Sequence, residues 1–418
     1  MKRWAFRVFL VVAGLTYLQA LTIAGIGEWL LRHPTAENLR RGIRWNPSNP
    51  ELWRYIARTK RLSLDDAVLQ EGAAAYRQAL SRNPFDYLAW EGLAAIESPV
   101  GDTRRQEAVL RGWVAAIPHS PPAAWALANL LLRQGQSEEA FPLFRIAVTY
   151  DPQLLLPVFS LGWKLLADPL RILEELVPVD VEARIAFVNF LVRRNGLLRE
   201  AYPVWERLLP ADSEAVIRLG ESYSEALAAA GFGAEAAGVW KASQQTGGTA
   251  TQSAGERITN GDFEAALRNA GLDWRMTQAP GYQITLDNFQ SHSGSRSLRI
   301  RFDGTTNPEF YSVQQWVPVE PGTDYRFRAF LRTENISTDN GIYLSVTPRA
   351  VPPAENWERA TEMQVGTAPW SEQQLAFRTG PNTRVILLRL RRRKSAKLNN
   401  LLQGTVWLDN VSIQPVAD

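Results

Sequence analysis

Ile258-Thr259-Asn260-Gly261-Asp262-Phe263-Glu264 is the stretch from which the rest of the chain is read. Before it, apolar residues recur at helical spacing behind a hydrophobic N-terminus. After it, the pattern changes to period-two alternation. Near the far end a matching phrase appears, Val406-Trp407-Leu408-Asp409-Asn410-Val411-Ser412-Ile413. The two phrases read as the first and last strands of one β-sandwich spanning 257–418. Residues 243–256, SQQTGGTATQSAGE, are small and polar with no apolar period, and read as a flexible linker in front of it.

At 418 residues the chain exceeds one ordinary domain, and 45% hydrophobic with 21% charged residues is a globular composition. There is no cysteine, which excludes disulfides, thiol catalysis and Cys-ligated zinc. His33, His119 and His292 are the only histidines and lie in different segments. The sequence has no phosphate-cradling Gly loop and no Gly-x-Ser-x-Gly elbow, and nothing pairs two carboxylates in a cleft for glycoside hydrolysis. A binding protein is expected rather than an enzyme.

The net charge of +3 is unevenly placed. Lys2, Arg3, Arg7, Arg32, Arg40, Arg41 and Arg44 face only Glu28 and Glu37 in the first 44 residues. A basic excess beside a hydrophobic segment points to anionic lipid headgroups and away from nucleic acid. An apolar run extends from Val8 to about Leu31, and about 20 residues cross a bilayer core. Residues 1–31 are therefore expected to be a transmembrane helix. Lys2, Arg3 and Arg7 would keep the N-terminus cytoplasmic, leaving the body outside the inner membrane in the periplasm. The arginines after the run weaken that asymmetry. The other reading is a signal peptide cleaved near Thr22-Ile23-Ala24, giving a secreted protein, although the apolar run continues to Trp29-Leu30-Leu31.

Residues 32–242 repeat a phrase. Asn46-Pro47 precedes Trp53, Asn83-Pro84 precedes Trp90, Pro118 precedes Trp125, and Asp151-Pro152 precedes Phe159. Pro opens a helix at a position where its missing N–H is not needed. A second phrase, Gly135–Ala140–Phe144–Ala147, returns as Gly196–Ala201–Trp205 and as Gly231–Ala236–Trp240. This segment resembles the tetratricopeptide repeat family, which implies a solenoid of helix pairs with a groove for a protein partner. Its tryptophans, at repeat spacing, are expected in the packing rather than on a ligand.

In the β domain, 297–302, 325–332 and 342–347 alternate cleanly, separated by turn signals such as Pro321-Gly322-Thr323-Asp324 and Asp339-Asn340-Gly341. Three phrases stand in order. They are Asn260-Gly261-Asp262-Phe263-Glu264, His292-Ser293-Gly294-Ser295-Arg296-Ser297-Leu298 and Gly404-Thr405-Val406-Trp407-Leu408-Asp409-Asn410-Val411. Together they resemble the carbohydrate-binding modules with a galactose-binding-like jelly roll, type 4/9. The resemblance implies a glycan ligand and a structural calcium tying first strand to last. Glu264 and Asp409 are the matching carboxylates, with oxygens from Asp262, Ser293 and Ser295; ordinary hydrogen-bonded strand ends are the other reading. His292 falls in a turn and is expected to be structural.

Alternation puts Arg326, Arg328, Phe330 and Arg332 opposite Tyr325, Phe327, Ala329 and Leu331. Tyr343 opposes Ile342 and Leu344, and Arg389 and Arg391 continue from Leu388 and Leu390. Were these strands neighbours, they would make one Arg-rich face suited to acidic polysaccharide; a solvated outer face is the other reading. The sequence thus predicts a multidomain α plus β chain: anchor, helical repeats, linker and jelly roll. Its expected role is an exported adaptor, binding protein through the repeats and glycan through the sandwich, in surface polysaccharide assembly or export. The alternative is a purely protein-binding scaffold with a structural sandwich.

Overall fold

A computed structural model describes residues 2–32, 35–98, 103–193, 197–208, 213–246, 255–350 and 356–416. The chain forms two compact units, Met1–Val179 and Asp180–Asp418. The first is helical: α1 (Lys2–Arg32), α2 (Ala36–Trp45), α3 (Pro50–Lys60), α4 (Asp66–Leu80), α5 (Tyr87–Ile96), α6 (Arg104–Ala116), α7 (Pro121–Arg133), α8 (Ser137–Tyr150), α9 (Leu155–Leu166) and α10 (Pro169–Glu175).

The repeated phrases have a common local cause. Trp53 Nε1 donates to the Pro47 carbonyl at 2.9 Å, and Trp90 Nε1 donates to the Pro84 carbonyl at 2.8 Å. Each indole thus ties the second turn of its helix back to the turn before it. Asn49 caps α3 and Asp86 caps α5 through side-chain oxygens that accept from the first turn. Between α4 and α5, Gly92 lies against the Tyr76 ring, where a Cβ would collide. Around this contact Ala57, Ala73, Tyr76, Ala79, Leu93 and Ile96 form one buried cluster. In the second phrase Gly135 has φ +79°, and Ala140, Phe144 and Ala147 are buried. The corresponding Gly196 lies outside the described residues.

The structure does not itself support the transmembrane helix expected over residues 1–31. α1 is a continuous helix, but among the described residues no helix is long and apolar enough to cross a membrane. Within it Glu28 and Arg32 form an exposed ion pair at 2.8 Å.

The second unit begins with α11 (Val181–Arg193), α12 (Tyr202–Glu206), α13 (Glu214–Ala229) and α14 (Gly233–Thr246). Among the described residues ten strands follow: β1 (Arg275–Met276), β2 (Tyr282–Asp287), β3 (Ser297–Asp303), β4 (Phe310–Pro318), β5 (Asp324–Ile336), β6 (Tyr343–Ala350), β7 (Arg359–Ala360), β8 (Gly366–Arg378), β9 (Thr383–Arg392) and β10 (Gln403–Pro415). They make two five-stranded sheets, ordered β1-β4-β9-β6-β7 and β2-β3-β10-β5-β8. Every strand pairing is antiparallel. Alternation behaves as read: Tyr325, Phe327, Ala329 and Leu331 of β5 join Ile342, Leu344 and Val346 of β6 in the core.

The units divide between Val179 and Asp180, not in the 243–256 stretch, of which 247–254 lie outside the described residues. The reason is packing. α13 and α14 rest on β4 and β9 of the first sheet. Gly233 sits so close to the Arg384 carbonyl and Val385 that a Cβ there would collide. Glu221 pairs with Arg268 at 2.8 Å, Glu225 with Arg275 at 3.3 Å, and Arg349 Nε donates to the Ala229 carbonyl at 2.6 Å. Trp240 lies so close to Gly271 that a Cβ there would collide, and the φ of +62° at Gly271 is one that side chains rarely adopt.

The stretch 258–264 is not a regular strand. Asn260 and Phe263 have φ of +50° and +56°, which break an extended ladder. The segment is held instead by specific bonds. Thr259 N donates to Gln315 Oε1 at 3.0 Å and Gln315 Nε2 donates to the Thr259 carbonyl at 2.9 Å, so a buried amide stands in for a neighbouring strand. Val411 N donates to the Gly261 carbonyl at 2.8 Å, and a Cβ at Gly261 would strike the Val411 carbonyl. Phe263 and Trp274 are fully buried with ring centroids 5.3 Å apart.

Candidate functional site

Two constellations emerge in the sandwich. The first joins the opening stretch to the last strand through the 292–296 turn. Asp409 Oδ2 accepts from His292 N at 2.7 Å and Ser293 N at 3.1 Å, and Oδ1 accepts from Asn410 N at 2.7 Å. Glu264 Oε1 accepts from Ser295 N and Arg296 N, and Oε2 from the Ser295 hydroxyl. Asp262 is exposed, its carboxylate 3.4 Å from Glu264 N, and Ser293 Oγ donates to Asn410 Oδ1. The five residues expected around calcium therefore do gather at one end of the sandwich.

Hydrogen-bond donors meet both carboxylates in this arrangement. Calcium takes six to eight oxygens. Here all four oxygens of the two carboxylates are turned toward N–H or O–H donors. Among the described residues there is also no group of three or more His, Cys, Asp or Glu suited to a metal. Burial pushes the Asp409 carboxyl above its ordinary value, against the pull of its three backbone donors. The Ser295 hydroxyl and then the Ser295 and Arg296 N–H groups hold Glu264 below the ordinary carboxylate value of 4.5. Glu264 ionises more readily folded than unfolded, so its stabilisation is complete above about pH 4.5 and disappears as pH falls through the lowered value. Glu264→Gln should flatten the loss of denaturation midpoint between pH 7 and pH 3. An unchanged acid limb would refute this.

The second constellation is the outer face of the first sheet. The register places Arg275 opposite Gln314, Gln314 opposite Arg389, Arg389 opposite Ser345, and Ser345 opposite Ala360. One row thus crosses all five strands. On one side of it lie Trp316, Leu387 and Thr347, and then Val385 near Gly233 of α14. On the other side lie Arg391 and Tyr343. Arg391 pairs with Glu358 and stands over the Tyr343 ring at 6.0 Å. Arg389 Nε approaches Gln314 Oε1 at 3.3 Å. Tyr311, 56% exposed, lies within electrostatic reach of Arg389.

The single Arg-rich face expected from alternation is split in two. Tyr343, Arg389 and Arg391 share the first sheet, whereas Arg326, Arg328, Phe330 and Arg332 lie on the outer face of the second. There Phe330 offers no free platform, because the His292 ring stacks on it with centroids 3.6 Å apart. Arg332 lies over Trp407 at 5.3 Å and donates to Gln290 at 2.9 Å. Arg328 reaches Glu372 at 3.6 Å, while Arg326 is exposed. Gln314, Tyr311, Arg275 and Glu358 escaped the sequence reading. Gln314 was accessible to it, since Val313 and Val317 set the inward phase of β4.

No family model matches the sequence, and no curated protein matches it. Solved structures similar to it include the xylan-binding domain CBM22-1 of Paenibacillus barcinonensis Xyn10C, at 16% identity over 38% of this chain and 92% of that one, TM-score 0.28. A family 22 carbohydrate-binding module of Clostridium thermocellum Xyn10B shares 13% identity over 39% of this chain and 97% of that one, TM-score 0.28. A CBM4 structure shares 16% identity over 38% and 99%, TM-score 0.28.

Proposed function

We propose that the sandwich binds an extended polysaccharide across the uncovered part of the first sheet's outer face. The observation that carries this reading is the Arg275–Gln314–Arg389–Ser345 row, with Tyr311 and Tyr343 beside it. A chain laid across the strands meets the Gln314 amide and the Arg275 and Arg389 guanidinium groups at sheet spacing, beside the exposed Tyr311 ring; such convergent polar groups fix a ligand's orientation. The protein is then a binder, not an enzyme.

The remaining parts fit an exported adaptor at a membrane. On α1, Phe9, Leu10, Val11, Val12, Leu15, Leu18 and Leu21 all stand exposed, and a contiguous apolar surface of this kind suits a membrane or a partner. The helices of the first unit, read as tetratricopeptide-like repeats, would receive a protein partner. An open groove of about 580 Å³ between α5, α6 and α7 is lined by Trp113, Trp125, Asn129 and Arg133 and has room for side chains. In this setting, with the body in the periplasm, the chain would serve surface polysaccharide assembly or export. A second reading, a protein-binding scaffold with a structural sandwich, is favoured by the packing of α13 and α14 on the same sheet face.

The full-length chain, purified in detergent, is tested against immobilised polysaccharides beside Tyr311→Ala and Gln314→Ala. Retention of at least one polymer by the wild type, weakened about tenfold by either substitution, is expected. Retention of none leaves the scaffold reading.

A further inference from the structure

We propose that this face selects polysaccharides that carry carboxylates, with Arg389 as the acid-recognising residue. The inference rests on the polysaccharide reading above and narrows its ligand. Three arginines stand at or beside the transverse row, and two of them are neutralised from within. Arg275 faces Glu225 at 3.3 Å, and Arg391 is paired with Glu358. Arg389 is different. Among the described residues its one hydrogen bond runs from Nε to the uncharged Gln314 amide, and no carboxylate pairs with it.

The two terminal nitrogens of Arg389 are therefore the unused edge of a rigid fork. A guanidinium presents that edge as two parallel N–H donors, the spacing of a carboxylate's two oxygens. Beside it in the register, Ser345 is fully buried, and its hydroxyl has no hydrogen-bond partner among the described residues. An orphaned hydroxyl next to an unpaired guanidinium marks a place built for an oxygen-rich group. Burial, then the like charge of Arg391, lowers the Arg389 guanidinium below its ordinary value. A bound anion would relieve both effects.

The same geometry argues against simple charge attraction. Glu225, paired with Arg275, and Glu358, paired with Arg391, limit the net positive field of the face. Recognition should then follow carboxylate shape and position, and a polymer bearing sulfates should not substitute.

The test measures binding of the full-length chain in detergent to polygalacturonate, to the same polymer after carboxyl reduction, and to dextran sulfate. The wild type is expected to bind polygalacturonate at least about tenfold tighter than either other polymer. Arg389→Gln should abolish that preference, bringing binding of polygalacturonate down to no more than that of the reduced polymer. Arg389→Lys, a point charge without the fork, should restore only part of it. The proposal is overturned if Arg389→Gln keeps the preference, if the wild type binds the acidic and reduced polymers alike, or if dextran sulfate binds as tightly. Binding of the reduced polymer alone would spare the polysaccharide reading and sink this one; binding of none would sink both.

Discussion

Asp409→Ala is expected to lower the unfolding free energy by about 3 kcal/mol, since three part-buried donors lose their acceptor at about 1 kcal/mol each. The loss should be visible as a shift in urea midpoint at unchanged slope. The Asp409 side chain is wholly buried and serves three backbone N–H groups, those of His292, Ser293 and Asn410. Removing it strands all three. It also frees the 292–296 turn that Glu264 holds from the other side. Asp409→Asn sharpens the test. An amide can present its oxygen to only one side, so its NH2 must face either the His292–Ser293 pair or Asn410 N. A substantial loss is expected there too, and an isosteric Asn that cost nothing would show that the donors find other acceptors.

Cutting the chain at the polar stretch is expected to weaken the sandwich by about 3 kcal/mol or more, at about 1.5–3 kcal/mol for each Val or Leu side chain returned to water. The comparison is between 257–418 and 180–418, by thermal or urea unfolding. Val385 and Leu387 lie on the outer face of the first sheet, yet are 0% and 5% exposed, and Val385 faces Gly233 of α14. The cut also removes Trp240 from Gly271 and breaks the Glu221–Arg268 and Glu225–Arg275 pairs. Equal stability of the two fragments would mean that α13 and α14 merely lie beside the sandwich.

Period-two alternation reports the inward phase of a strand, and for β5 and β6 that phase was read correctly. It carries no information on which sheet a strand joins. β5 and β6 are consecutive and alike in pattern, yet they belong to different sheets. The Arg and aromatic residues assigned to one face were therefore divided between two. Sheet membership is set by non-local pairing, and β5 finds its partners in β8 and β10. The packing of α14 did leave a trace. Val385-Ile386-Leu387-Leu388 is an unbroken apolar run, the mark of a strand buried on both faces. The irregular course of 258–264 left a fainter one, because the positive φ of Phe263 is imposed by tertiary contacts rather than by residue type.

The placement of β10 has a kinetic consequence. Residues 403–415 form the middle strand of the second sheet, between β3 and β5, and they also receive the opening segment through Gly261 and Arg257. During synthesis, β2, β3, β5 and β8 all leave the ribosome before the strand that joins their two halves. Until β10 arrives, β3 and β5 each expose an unpaired edge, and the opening segment has nowhere to dock. Such a nascent chain is open to mispairing for as long as translation of the last strand takes. Folding of the sandwich is thereby postponed to a late step that closes the sheet and secures both ends of the domain together.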